Sequence, residues 1–178
     1  MNTARDLANI ALSRPDRSVG QGDLSLALAG AELLDLIAAQ ALRVEEDRIV
    51  PGERTATGDR LWDEASAQLV RQEPYESVED WLWRRGRGLF AAYTDDLERT
   101  GQVTRTGGQQ PASGDPVLAA LVTVAGMQDG PDSALEDLAD DATAAVLAAV
   151  GNAVTELEAV RQQRSIENAA FDNIWRAP

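Results

Sequence analysis

Arg84, Arg85 and Arg87 stand close together among Trp81, Trp83, Phe90 and Tyr93, in the stretch Ser77–Tyr93 (SVEDWLWRRGRGLFAAY). Guanidinium groups grip phosphate through paired N–H donors, and Trp or Tyr rings settle at the headgroup layer of a bilayer. Read as a binding group, Arg84, Arg85, Arg87 and Trp81 form a headgroup site for an anionic phospholipid. Read as structure, Trp81 and Phe90 are core and the arginines pair with nearby acids. Two groups of carboxylates offer other chemistry. Asp59 and Asp63, in Thr57–Glu64 (TGDRLWDE), are spaced i, i+4 and could face one cation. Their structural alternative is a helix start, with Thr57 or Asp59 as cap and the acids near the positive end. Arg60 between them makes a poor magnesium site. The acids Asp132, Glu136, Asp137, Asp140 and Asp141 could meet a metal or a basic partner, and their leading reading is a solvated helix face.

Composition removes most other chemistry. The 178 residues include no Cys, no His and no Lys, so all 16 cations are Arg; against 30 acids the net charge is −14. Disulfides, thiol nucleophiles, Cys/His zinc sites, a Ser-His-Asp triad, a Schiff-base lysine and a P-loop lysine are therefore impossible. Carboxylate acid–base work and Asp/Glu-bound magnesium survive, and elimination leans toward a binding module without cofactor or metal. The charge is uneven: residues 1–109 hold 13 Arg against 19 acids, and residues 110–178 hold 3 against 11. The C-terminal third repels anions, so nucleic acid is not an expected partner, and any anionic lipid must be met by the N-terminal two-thirds. Met1–Ala11 has no secretory apolar core, and the run Pro116–Met127 is shorter than the roughly 20 residues of a membrane span. The expectation is a cytoplasmic chain, peripheral on the inner membrane face.

The elements that must position these residues are mostly helical. Thr3-Ala4-Arg5-Asp6 reads as a capping box opening a helix through Leu12. Asp23 reads as the cap of a long helix to about Leu42, apolar on more than one side, with Ala27, Gly30 and Ala31 allowing close approach of another backbone. Leu42–Val50 reads as a small hairpin around Glu45–Asp47. Further helices are predicted over about 59–71, from the Ser77 capping box to Arg85, and over 89–100, closed by Gly101. Gln102–Arg105 reads as a strand and Thr106–Gly114 as a loop. Asp115-Pro116 caps a helix to about Ala125. A helix from Pro131 is expected to end or kink at Gly151, followed by a last helix over about 153–168. The fold class is mainly α: one domain over residues 1–178, a compact bundle with one or two small β-hairpins.

Three stretches in register carry a resemblance: Leu24–Leu36 (LSLALAGAELLDL), Ala56–Ala65 (ATGDRLWDEA) and Leu97–Val103 (LERTGQV). In this order and spacing, over roughly residues 5–150, the chain resembles the Golgi phosphoprotein 3 family, which includes vacuolar sorting relatives and many actinobacterial proteins. The resemblance implies a helical, non-enzymatic domain. It implies a peripheral adaptor that binds phosphatidylinositol 4-phosphate and a protein partner. Carried over by position, the Trp of the family's headgroup pocket falls near Gly20 and its basic positions fall at Ala29, Arg87 and Phe90. Arg87 is retained, with Arg84 and Arg85 as nearby substitutes. The family's oligomerisation hairpin reads as absent, because Thr106–Gly114 leads directly to Asp115-Pro116. A soluble protein-interaction scaffold that has kept the fold without lipid binding is the alternative.

Overall fold

Fourteen consecutive residues, Asp23–Leu36, are buried, the mark of a helix enclosed on every side. The structure, a computed structural model, describes residues 2–13, 19–53, 56–102, 115–127 and 140–175, with side chains through residue 169. Around α2 (Gln21–Ala38) pack α1 (Thr3–Ser13), α3 (Arg60–Ala67), α4 (Val78–Arg85), α5 (Leu89–Thr100), α6 (Pro116–Val124) and α7 (Asp141–Trp175). The mainly-α bundle expected from the sequence is the observed fold.

Small side chains set the tightest crossing. A Cβ on Gly30 would overlap Val150 Cγ2 of α7, so the bare backbone of α2 lets α7 lie against it. Leu28, Leu33 and Leu36 of α2, with Leu7, Leu61, Leu82, Leu97, Leu121 and Leu147 from the surrounding helices, are almost wholly removed from water. Each such side chain contributes about 2 kcal/mol of burial free energy.

The expected hairpin is present. β1 (Leu42–Glu45) pairs antiparallel with β2 (Arg48–Pro51), placing Val44 opposite Ile49. The outer edge of β2 is closed by the segment before α4. Ile49 N–H donates to Glu76 O at 2.9 Å, and Val78 N–H donates to Asp47 O at 2.9 Å. This fixes Ser77 at the start of α4, where its hydroxyl accepts from Asp80 N–H as the capping box predicts.

Several boundaries depart from expectation. Thr3 is not the cap of α1: Asn2 Oδ1 accepts from Arg5 N–H, and the Asp35 carboxylate accepts from the N–H groups of Thr3 and Ala4. A side chain of α2 thus satisfies the orphan donors of α1. Asp23 is not the cap of α2; it lies in the first turn, and the cap is Gly20, which offers no side chain. α2 stops at Ala38, short of Leu42, because Gln40 turns left-handed (φ 56°) and Ala41 N–H closes back onto Leu36 O. α3 stops at Ala67, and Arg71 instead reaches Gly52 O at 3.0 Å. Gly151 does not end its helix: α7 is continuous from Asp141 to Trp175. One glycine costs a helix about 1 kcal/mol, less than the burial of Val146, Leu147, Val150 and Ala153 around it provides. The strand expected over 102–105, the loop 106–114 and the helix start at Pro131 lie wholly or almost wholly outside the described residues. By length and composition Asp141–Ala169 could cross a bilayer, but its first half is packed into the bundle.

Candidate functional site

The corner between α4 and α5 carries the predicted arginines. Gly86 has no room for a Cβ, which would lie 2.5 Å from Leu82 O, and Gly88 sits at φ 69°, where L side chains are strained. Gly86 stays in the right-handed helical region and Gly88 turns left-handed, so Arg87 falls between the end of α4 and the start of α5.

Arg85 and Trp81 face the interior. Trp81 has no exposed surface, and its Nε1–H donates to Ala29 O at 3.2 Å. Arg85 is buried as well. Its Nε and Nη2 donate to the two Glu32 oxygens at 2.8 and 3.0 Å, Nη1 donates to Glu64 Oε1 at 2.6 Å, and Nη2 also reaches Leu61 O. Glu32 accepts from Tyr93 Oη–H at 3.1 Å besides. Burial pushes the Glu32 carboxyl up, and Arg85 and Tyr93 pull against it. Burial pulls the Arg85 guanidinium down, but the Glu32 and Glu64 carboxylates raise it further. Burial and the Glu32 charge together raise the Tyr93 phenol. This network joins α2, α3, α4 and α5.

Arg84 lies outside but is occupied. Its Nε and Nη2 donate to the two oxygens of Glu76, each at 2.7 Å, and the guanidinium lies 5.1 Å from the Trp81 ring centroid. A bidentate carboxylate and an aromatic face use both recognition surfaces of a guanidinium. The structure therefore does not bring Arg84, Arg85 and Arg87 together as one phosphate cradle.

Arg87 is different: it is exposed, with no hydrogen bond or ion pair to any described residue. It stands at a cleft of about 340 Å³ between the starts of α2 and α5. Leu26, Trp83, Phe90 and Leu157 supply apolar walls, and Gln21 and Gly22 form the α2 rim. Neither helix start has a side-chain cap of its own. Ser25 of α2 reaches across to accept from Phe90 N–H at 3.1 Å, which locks the two starts together. At α2 the first-turn N–H groups lack helical acceptors, and the helix dipole places partial positive charge there. One guanidinium and helix-start amides beside an apolar wall are groups with the chemistry to hold an anion. Two of the family-derived positions, Arg87 and Phe90, meet here, while Gly20 borders a separate cavity and Ala29 is buried in the core.

The carboxylates of the second motif are all in use by the protein. Asp59 caps α3 through Leu61 and Trp62 N–H and accepts from Arg5 Nε and Nη2. Asp63 accepts from Thr57 N–H, Thr57 Oγ1–H and Gly58 N–H, and the Thr57 amide leads in holding its carboxyl below the usual range. The pair serves a loop and a helix start, as the structural alternative holds. Among the described residues no three acids converge as metal ligands. Asp140 of the acidic cluster caps α7 through Thr143; Asp132, Glu136 and Asp137 lie outside the described residues. Where three arginines do meet is Asp96, whose oxygens accept from Arg5, Arg60 and Arg99 at 2.8 to 3.1 Å. Burial raises its carboxyl, and the three guanidinium groups overcome that and lower it to about 2.

Sequence reasoning missed Gln21, Gly22, Ser25 and Leu157 as cleft residues. The one signal was Gly20-Gln21-Gly22, a pair of glycines at a helix start; Leu157, more than sixty residues from Arg87, carried none beyond its place in an apolar stripe. No curated protein and no solved structure matches the chain. The family model described as Golgi phosphoprotein 3 matches residues 6–165, nearly the whole chain and at least part of every described helix. With that match, this chain belongs to the Golgi phosphoprotein 3 family.

Proposed function

We propose that the chain is a non-catalytic, peripheral membrane adaptor whose headgroup contact is reduced to Arg87 and the α2 start beside it. The observation that carries this reading is the guanidinium of Arg87, unpaired among the described residues, at an apolar-walled cleft next to a helix start without a side-chain cap. Trp83 and Phe90 supply rings for the headgroup layer. A single Arg near an anionic surface contributes about 1 kcal/mol, so binding is weak, salt-sensitive and indifferent to which anionic headgroup is offered. The net charge of −14 acts in the same direction. Family membership supports the adaptor part; its phosphatidylinositol 4-phosphate specificity is not expected here.

Flotation with anionic vesicles, with and without phosphoinositide, tests the reading. The chain floats at low salt with either lipid, is released at moderate salt, and fails to float as Arg87→Ala. No lipid-dependent flotation at low salt overturns it. A second reading, a soluble protein-interaction scaffold, is favoured by the commitment of Arg84 and Arg85 to internal carboxylates. It predicts that Arg87→Ala leaves the affinity for a protein partner unchanged.

A further inference from the structure

Asp23 brings a negative charge to the first turn of α2, one residue after the Gly22 rim of the Arg87 cleft. It is nine-tenths buried, and Oδ2 accepts from Arg161 Nη1 at 2.7 Å. Arg161 comes from the far end of the chain, on α7 just past the last partly buried residue, Leu157. Its guanidinium lies over the glycines of the α2 start: a Cβ on Gly20 or on Gly22 would come within 2.7 or 2.9 Å of its nitrogens. Asp23, Gly20, Gln21 and Arg161 border a second cavity of about 980 Å³, and Gln21 borders both that cavity and the Arg87 cleft. Glu158, one turn before Arg161, is a second acid on this side.

We infer that the Asp23–Arg161 pair sets the affinity of the neighbouring cleft for anions. The Asp23 carboxylate opposes a bound anion, Arg161 cancels that opposition, and the bare Gly20 and Gly22 leave room for Arg161 to do so. Arg161 is thus a positioning residue for charge and does not contact the ligand. This inference rests on the anion-binding reading of the Arg87 cleft.

Binding to phosphatidylcholine–phosphatidylglycerol vesicles at low salt, measured for the full chain, tests it. Asp23→Asn removes the opposing charge and tightens binding by about two- to fivefold. Arg161→Gln exposes that charge and weakens binding by a similar factor. The double variant returns to within about twofold of the unaltered chain. Arg161→Lys, which keeps the charge, stays near the unaltered chain and guards against a folding artefact, as do thermal melts of each variant. A clasp with only a structural role moves both single variants toward weaker binding, and that result overturns the inference while the unaltered chain still floats. An unaltered chain that ignores the vesicles overturns the cleft reading and this inference together.

Discussion

Replacing Arg85 by Ala separates an arginine that builds the fold from one that meets a ligand. Its guanidinium makes two hydrogen bonds to Glu32 and one to Glu64, all within 3.0 Å, and a longer one to Leu61 O. The Glu32 side chain is only 1% exposed. Truncation leaves that carboxylate in the core with Tyr93 as its one remaining hydrogen-bond donor. Breaking a buried pair by removing one partner costs about 3–5 kcal/mol, because the other charge is left without compensation. The Glu64 contact adds less, since that side chain is 42% exposed and water takes over part of the interaction. For a chain of this size the loss lowers Tm by roughly 6–20 °C. Arg87→Ala, at an exposed and unpaired position, stays within about 0.5 kcal/mol. Urea unfolding followed by circular dichroism reads both variants. An Arg85→Ala variant within 1 kcal/mol of the unaltered chain, or one whose only defect is vesicle binding, would refute the reasoning.

Three other outcomes follow from the same contacts. Asp96 titrates at about 2 in the fold against an ordinary 3.8, so its contribution is full above about pH 4 and is lost as pH falls toward 2; Asp96→Asn, measured across that window, abolishes about 1–2 kcal/mol of the acid-dependent stability, and an unchanged acid profile contradicts the assignment. Gly30→Val drives a branched side chain into Val150 across the α2–α7 crossing and costs about 1–3 kcal/mol in urea unfolding. Asp115→Ala removes the cap that accepts from Val117 and Leu118 N–H, and lowers stability by about 1 kcal/mol with little effect on the rest of the bundle.

What the sequence made legible was local. Ser77, Asp59, Asp115 and Gly101 mark helix ends because a cap needs only its own neighbours, and each sits where its residue type predicts. The burial of α2 on several faces was readable from apolar residues on more than one side of it, and Gly30 from its size. That arginines of this stretch pair with acids was one of the two readings the sequence offered, and Arg84 and Arg85 follow it; which acids they take was not legible. Arg85 is buried because Glu32, fifty-three residues away, lies opposite it, and Arg84 is occupied because the hairpin edge brings Glu76 beside it. The Arg85 pairing belongs to the packing of α2, α3 and α4 and the Arg84 pairing to the hairpin edge, which no spacing within 77–93 encodes. Continuity of α7 through Gly151 was hidden for the same reason: propensity marks a weak point, and burial overrides it. The cleft beside Arg87 comes from two helix starts brought together by Ser25 and Phe90, a contact across sixty-five residues.

The central claim is that one guanidinium and the α2 start receive an anionic headgroup while Arg84 and Arg85 do not. Amide and guanidinium NMR shifts, followed while a soluble short-chain phosphatidylinositol 4-phosphate is added, test it most directly. The largest changes fall on the Gln21 and Gly22 amides and on Arg87 Nε–H, with Arg85 Nε–H unmoved. Changes centred on Arg84 and Arg85, or none at Gln21, Gly22 and Arg87, contradict it.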